Sequence, residues 1–168
     1  MRKVWFLLTV LVFLLAGGMV AAEETPALDV TQYTLDNGLE VILVKDASAP
    51  TVATNILFNV GGAYDPAGRS GFAHLFEHLM FEESAHLKTG DIDRLIEQVG
   101  GFTNAYTSTE RTVYYIPVPA HQLPWALWIE ADRLASLVVS EENFENQRSV
   151  VIEEYQQQGR QCALWRSF

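Results

Sequence analysis

The sequence predicts an α+β fold, in which helices pack on one face of a mixed, mainly antiparallel sheet. Three observations support this class. Apolar runs on both sides of Asn37-Gly38 predict a β-hairpin, because Asn-Gly favours the tight turns that join antiparallel strands. Apolar residues at helical spacing mark four later segments, and a second pair of strand-like runs lies among them. A length of 168 residues, 49% of them hydrophobic, fits one domain with a sizeable core.

Five strands are predicted in order along the chain. The first two form the hairpin around residues 36–38, and the third is apolar enough to be central in the sheet. The fourth and fifth form a second hairpin that residues 109–111 close. The five ranges are 31–35, 39–44, 52–60, 102–108 and 112–118.

Four helices are predicted from apolar residues that recur every three or four positions. The first is apolar enough to be largely buried, and Gly100-Gly101 ends the second. The ranges are 72–81, 91–99, 122–139 and 141 to about 157. Because strands come first and helices then interleave with a hairpin, the order favours an α+β arrangement.

The first 22 residues are typical of a secretory signal peptide. Arg2 and Lys3 precede an apolar run, and small residues at 20–22 suit cleavage before Glu23. A linker at 23–30 and a domain at 31–158 follow. We therefore expect a periplasmic or secreted protein with no stable membrane anchor after cleavage. The alternative is an uncleaved helix that anchors the protein in the membrane, since spanning takes about 20 apolar residues.

Charge and cysteine content exclude several classes of protein. The net charge is −10, and it becomes −12 when Arg2 and Lys3 are removed. Nucleic acid is therefore not expected as a partner, because phosphate binding needs concentrated Lys and Arg. Cys162 is the single cysteine, which excludes an internal disulfide framework and a multi-cysteine zinc site.

A candidate catalytic motif lies on the first predicted helix, at His74-Leu75-Phe76-Glu77-His78. Two histidines four residues apart lie on one helix face and can bind one Zn²⁺. Glu77 borders the same face, so its carboxylate can take a proton from water during metal-assisted hydrolysis. The alternative is a helix with two hydrogen-bonded core histidines and a surface glutamate. The apolar flanks favour the metal site, because buried polar groups need partners.

A zinc site of this kind needs a third protein ligand. Glu153 and Glu154 are the candidates on the last predicted helix, and periodicity does not choose between them. The alternative for each is a solvated helical carboxylate.

Four segments share their order and spacing with one known group of enzymes. They are the turn at 36–39, the metal-binding helix at 71–81, the Gly-Gly…Asn-Ala…Thr segment at 100–108 and the helix at 148–154. Together they resemble the pitrilysin-type zinc peptidases, a family that includes insulysin and mitochondrial processing peptidase. The resemblance extends over about residues 31–158.

The resemblance implies a role for each residue of the motif. His74, His78 and Glu154 would bind Zn²⁺, and Glu77 would be the general base. The spacing of the third ligand in the family selects Glu154 and leaves Glu153 as second choice.

The resemblance also implies a peptide-binding strand and one departure from the family pattern. Asn104 and Ala105 would lie on a sheet edge beside the cleft, where an extended peptide substrate can pair. Gln147 stands where some relatives carry a glutamate that supports the metal site. Since outer-shell carboxylates raise ligand basicity, we expect weaker metal affinity here.

The end of the chain departs from what the resemblance implies. Family members have at least two homologous halves, in one chain or in two subunits. Residues 159–168 are basic and are interpreted as an aberrant tail on an incomplete domain. Our hypothesis is a frameshift after Gln158, because the next frame of one codon choice restores an Asn-x-Pro-Tyr-Gly sequence that many relatives have at this point.

The resemblance therefore predicts a zinc-dependent endopeptidase that hydrolyses extended or unfolded peptides. The chain would be its N-terminal fragment, with little activity alone, and a homologous second half or partner subunit would complete it. The alternatives are a non-catalytic binding or partner subunit, or a truncated product without function.

Overall fold

The computed structural model describes residues 28–165 and divides into two compact units, the first ending at Ser48 and the second beginning at Ala49. The predicted signal peptide at 1–22, most of the predicted linker and residues 166–168 lie outside this range.

The first unit is the predicted hairpin. Strand β1 (Asp29–Thr34) pairs antiparallel with β2 (Glu40–Lys45), and it begins two residues earlier than predicted. Gly38 has a φ of +88° in the turn, a conformation that favours glycine. The side-chain oxygen of Asn37 accepts a hydrogen bond from the Leu39 amide at 3.1 Å. The Asn-Gly signal thus forms the expected turn.

The second unit contains a three-stranded antiparallel sheet. It consists of β3 (Thr51–Phe58), β5 (Asn104–Thr107) and β6 (Thr112–Pro119), in the order β3-β6-β5. The prediction that the third strand is central was wrong, because β6 lies in the middle. Every second residue of β6 is buried from Thr112 to Val118, whereas Thr54 is the one buried residue of β3. An apolar run predicts a strand but not its place in the sheet.

A two-stranded pair was not predicted from the sequence. Strand β4 (Glu83–Ser84) pairs antiparallel with β7 (Leu137–Val138). Each has two residues, which is too short to produce an alternating pattern.

The four predicted helices are present with changed ends. They are α1 (Phe72–Leu79), α2 (Asp91–Gln98), α3 (Leu123–Ser136) and α4 (Glu141–Trp165), with short 3₁₀ turns at Gly62–Tyr64 and Ala120–Gln122. The third helix ends before its predicted limit because the next two residues form β7. The fourth continues past residue 157. Within residues 28–165, no helix is both long and apolar enough to cross a membrane.

The core lies where α2 and α3 cover one face of the sheet. Its buried members are Leu87, Ile92, Ile96, Ile116, Val118, Ala126 and Ile129. A Cβ at Gly101 would lie 2.6 Å from the Pro117 carbonyl oxygen, so this close approach of the chain to β6 requires glycine. The α+β class with antiparallel pairing is confirmed.

Candidate functional site

Helix α1 is held at its start by a carboxylate from the preceding loop. The amides of Gly71 and Ala73 donate hydrogen bonds to the two oxygens of Asp65 at 2.7 and 2.8 Å. A carboxylate at this end satisfies free amides and complements the helix dipole. Asp65 therefore fixes where the helix begins, and with it the direction of the side chains at 74, 77 and 78.

Three of the predicted ligands come together at one point. The Nε2 atoms of His74 and His78 lie 3.2 Å apart. Glu154, on α4, places Oε2 at 3.5 Å from the first nitrogen and 3.6 Å from the second. With bonds of about 2.0–2.1 Å, two ligands of a tetrahedral Zn²⁺ lie about 3.3–3.4 Å apart. The three atoms therefore fit one zinc ion with a fourth position open.

The neighbouring Glu153 lies apart from this group. Its carboxylate is exposed and accepts a hydrogen bond from Gln157 at 3.3 Å, one turn further along α4. Among the described residues, the group of potential metal ligands consists of His74, His78 and Glu154, whose donor atoms all lie within 4.8 Å of one another. The geometry thus favours Glu154 over Glu153.

Glu77 is buried on the same helix and is oriented from the sheet. One of its oxygens, Oε2, accepts a hydrogen bond from the Thr107 hydroxyl on β5. Thr107 contacts the Thr112 hydroxyl at 3.2 Å, which in turn donates to the Val60 carbonyl at 3.0 Å. The second oxygen, Oε1, has no hydrogen-bond donor among the described residues. Sequence patterns missed this role of Thr107, because it joins residues thirty positions apart.

Gln147 lies on α4 beside one of the candidate ligands. Its Oε1 is 3.0 Å from Nδ1 of His78. The amide of Gln147 therefore lies within hydrogen-bonding distance of one imidazole of the candidate site.

These groups line one open cavity of about 370 Å³. Three carboxylates and two imidazoles face it, and no Lys or Arg is among its described lining residues, which are His74, Glu77, His78, Phe81, Glu82, Asn104, Gln147 and Glu154. A site with this donor set and no cation of its own is suited to a divalent metal.

The two residues predicted to bind peptide differ in their position relative to the cavity. Asn104 lines the cavity, but Ala105 is not among the lining residues. Ala105 lies on β5, an edge strand of its sheet, and is paired with Tyr114 on β6. The backbone amide of Ala105 donates to the Asn104 side chain at 2.8 Å.

A buried ion pair lies behind the cavity wall. Arg133 is bound to Glu130, and its guanidinium carbon lies 5.7 Å from the ring centre of Phe81 and 4.5 Å from that of Tyr114. Burial raises the pKa of Glu130, although Arg133 acts in the opposite direction. Burial also raises the pKa of Tyr114, so its phenol stays protonated.

Sequence comparison relates most of the chain to one group of proteins. The model of a family described as insulinase (peptidase family M16) matches residues 40–164. The zinc protease PqqE of Helicobacter pylori is 33% identical over 154 residues, which are 91% of this chain and 34% of that protein. The bovine mitochondrial-processing peptidase subunit beta is 33% identical over 73% of this chain and 25% of its own.

One relative is named as a subunit of a complex and not as a peptidase. Bovine cytochrome b-c1 complex subunit 1 is 29% identical over 82% of this chain and 28% of that protein. The chain thus spans about a third or less of the length of these relatives.

Solved structures agree with the sequence matches. A protease from Helicobacter pylori superposes with a TM-score of 0.74 at 34% identity, over 77% of this chain and 31% of that one. Pitrilysin superposes with a TM-score of 0.71 at 28% identity, over 79% of this chain and 14% of its own.

Proposed function

Because this chain belongs to the insulinase family of peptidases, family M16, we propose that it is the zinc-binding part of a metalloendopeptidase. The observation that carries the proposal is the triangle of His74 Nε2, His78 Nε2 and Glu154 Oε2, with sides of 3.2 to 3.6 Å, next to the buried Glu77. The reaction is hydrolysis of peptide bonds in extended or unfolded peptides.

The proposed roles follow from the atoms that each group leaves free. When bound, Zn²⁺ supplies Lewis acidity at the open side of the triangle. Glu77 accepts the proton of the attacking water at Oε1, since Thr107 occupies Oε2. The Thr107 hydroxyl holds the Glu77 carboxylate in one orientation, so Glu77 does not have to change its rotamer before it accepts the proton.

The peptide substrate would bind along β5. This strand pairs with β6 on one side, and an extended peptide can add to the other side as a further strand. Asn104 faces the cavity and can hydrogen-bond the peptide, while Ala105 would contribute backbone groups.

A further homologous half or a partner subunit is proposed to complete the substrate site. The lengths of the relatives support this, and one of them is named as a subunit of a processing peptidase. We expect little peptidase activity from the chain alone, because misplacement of substrate by about 1 Å can cost about 10²-fold in rate. We also propose a periplasmic or secreted location, on the composition of residues 1–22.

A non-catalytic partner subunit is the second candidate. The cytochrome b-c1 relative favours it, because that protein is named as part of an assembly and not as a peptidase. The two candidates differ in one respect that can be measured, namely whether the chain binds zinc through His74 and His78.

The test compares three variants of the purified chain by metal analysis. His74→Ala and His78→Ala should each lose zinc, because two remaining ligands rarely hold the ion. Glu77→Gln should keep zinc. Equal zinc in the wild type and both histidine variants would refute the site.

Activity is tested in a chimera that continues residue 157 with the sequence of the Helicobacter pylori relative. Its cleavage of an unfolded peptide should be chelator-sensitive, and Glu77→Gln should slow it by about 10²–10⁴-fold. An unchanged rate would exclude Glu77 as the base. Strong cleavage by the 168-residue chain alone would show that no second half is needed.

A further inference from the structure

Glu82 is a buried carboxylate that the proposed chemistry does not use. Glu82 is only 6% exposed, although it comes shortly after the end of α1 and lines the cavity of the candidate site. Within residues 28–157, no Lys or Arg nitrogen lies within 4 Å of it. Because a buried charge needs partners, its hydrogen bonds must compensate for the lost water.

Both oxygens of Glu82 accept hydrogen bonds from neutral side chains. The Thr89 hydroxyl donates to Oε2 at 2.7 Å. The amide nitrogen of Gln147 donates to Oε1. A carboxylate accepts and does not donate, so it fixes which end of the Gln147 amide faces it.

The orientation of Gln147 then decides the tautomer of His78. With its NH₂ group on Glu82, the amide presents Oε1 to Nδ1 of His78 at 3.0 Å. An amide oxygen only accepts, so Nδ1 carries the proton of a neutral imidazole. The lone pair is therefore on Nε2, the atom that faces His74 and Glu154.

The opposite orientation of Gln147 would have two costs. Its oxygen would face the Glu82 carboxylate, and its NH₂ group would face Nδ1 of His78. That contact favours a lone pair on Nδ1 and a proton on Nε2, so the proton would have to leave Nε2 before a metal ion could bind there, which lowers metal affinity.

We propose that Glu82 is a positioning residue of the metal site, which acts through Gln147 to keep Nε2 of His78 available as a ligand. This inference rests on the proposed zinc function. The three residues form one relay, Glu82–Gln147–His78, in which a carboxylate acts on a ligand through an amide. Outer-shell partners of this kind typically contribute 10–100-fold to metal affinity.

The first test exchanges the two side chains of the relay. Glu82→Gln should lower zinc affinity about 10-fold, because the new amide no longer fixes Gln147. Gln147→Glu should lower it as well, since two carboxylates then face each other. The double variant E82Q/Q147E should recover at least the wild-type affinity, because an amide at position 82 can donate to a carboxylate at position 147 that accepts from His78 directly.

The neighbouring glutamate serves as the control. Glu83 contacts the exposed Lys88 at 3.6 Å, and Glu83→Gln should leave zinc affinity unchanged. If Glu82→Gln does not fold, Thr89→Val should give a smaller loss in the same direction, since it removes the other hydrogen bond to Glu82. Additive losses in the double variant would overturn the relay.

The second test reads the tautomer of His78 without metal. Nitrogen-15 NMR of the metal-free chain should show the Nδ1–H form of His78 in the wild type and a mixture in Glu82→Gln. An unchanged tautomer would overturn the inference. If His74→Ala abolishes zinc binding while the relay variants do not weaken it, the inference fails and the zinc site stands. If His74→Ala has no effect, the proposed function fails, and the NMR result still decides the relay.

Discussion

Two helices of the protein each carry a short run of ionisable residues, and the two runs differ in how their charged and polar groups are paired. On α3, Glu130 and Arg133 have opposite charges, bind each other and are buried, with side chains 3% and 1% exposed. On α1, His74 and His78 face each other and Glu154 of α4, and all three are side chains of the kinds that bind metal ions. Their cavity remains open to solvent.

The difference shows how a cluster of ionisable residues can be assigned a role. Glu130 and Arg133, the closed pair, balance each other's charge and need no ligand, although Glu130 Oε1 and Arg133 Nη1 have no hydrogen-bond partner among the described residues. A cluster that contains acceptors, with no cation among its described lining residues, has a place for one. The spacing in sequence does not separate the cases, since i, i+3 and i, i+4 pairs both share a helix face.

The largest effect is expected when the closed pair is broken. Arg133→Met leaves Glu130 buried without its partner, which typically costs about 3–5 kcal/mol. Chemical denaturation should show this loss of stability, while zinc affinity of the folded protein stays unchanged. The double variant E130L/R133M should recover most of the stability, because an apolar pair can replace a buried ion pair. A loss below about 1 kcal/mol for Arg133→Met would contradict the closed-pair account.

Substitutions in the group of His74, His78 and Glu154 should instead change the affinity for zinc. Glu154→Gln removes a charged ligand and should lower zinc affinity by about 100-fold or more, beyond the range of outer-shell changes. Glu153→Gln is the matched control, one residue away and exposed, and it should be nearly silent. Zinc titration measures both. The reverse ranking would move the ligand to Glu153.

A smaller effect should follow at Asp132, which lies in the same run as the closed pair. Burial opposes its ionisation, but hydrogen bonds from Ser84, His86 and Ser136 outweigh burial and hold the pKa of Asp132 below its usual value. A lowered folded-state pKa stabilises the protein above the unfolded pKa of about 3.9, and this contribution is lost as pH falls further.

Asp132→Asn should therefore cost about 1–3 kcal/mol at neutral pH. The difference from the wild type should stay constant above about pH 5 and shrink as the pH falls through about 4. Denaturation at several pH values measures it. A difference that grows in acid would mean that the folded-state pKa of Asp132 is raised.

The sequence predicted those features whose residues lie close together along the chain. His74, Glu77 and His78 occur within one helical turn, and the Asn37-Gly38 turn is a local signal, so both are visible in the order of residues. Glu154 needed the family resemblance, because periodicity left Glu153 open.

The contacts that position the site could not be predicted in this way. Thr107 reaches Glu77 across thirty residues, and Glu82 reaches Gln147 across sixty-five. Such contacts depend on how the strands and helices pack, which local patterns do not contain. The same reason explains the wrong place given to β3, since its apolar residues do not reveal which strand lies between two others.

One zinc ion should bind between His74, His78 and Glu154, and X-ray absorption at the zinc edge of the loaded chain can identify its ligands. The wild-type spectrum should show four light ligands at about 2.0–2.1 Å, two of them imidazoles. Any zinc that His74→Ala retains should have one imidazole fewer. A sulfur ligand, or a wild-type spectrum with fewer than two imidazoles, would contradict this ligand set.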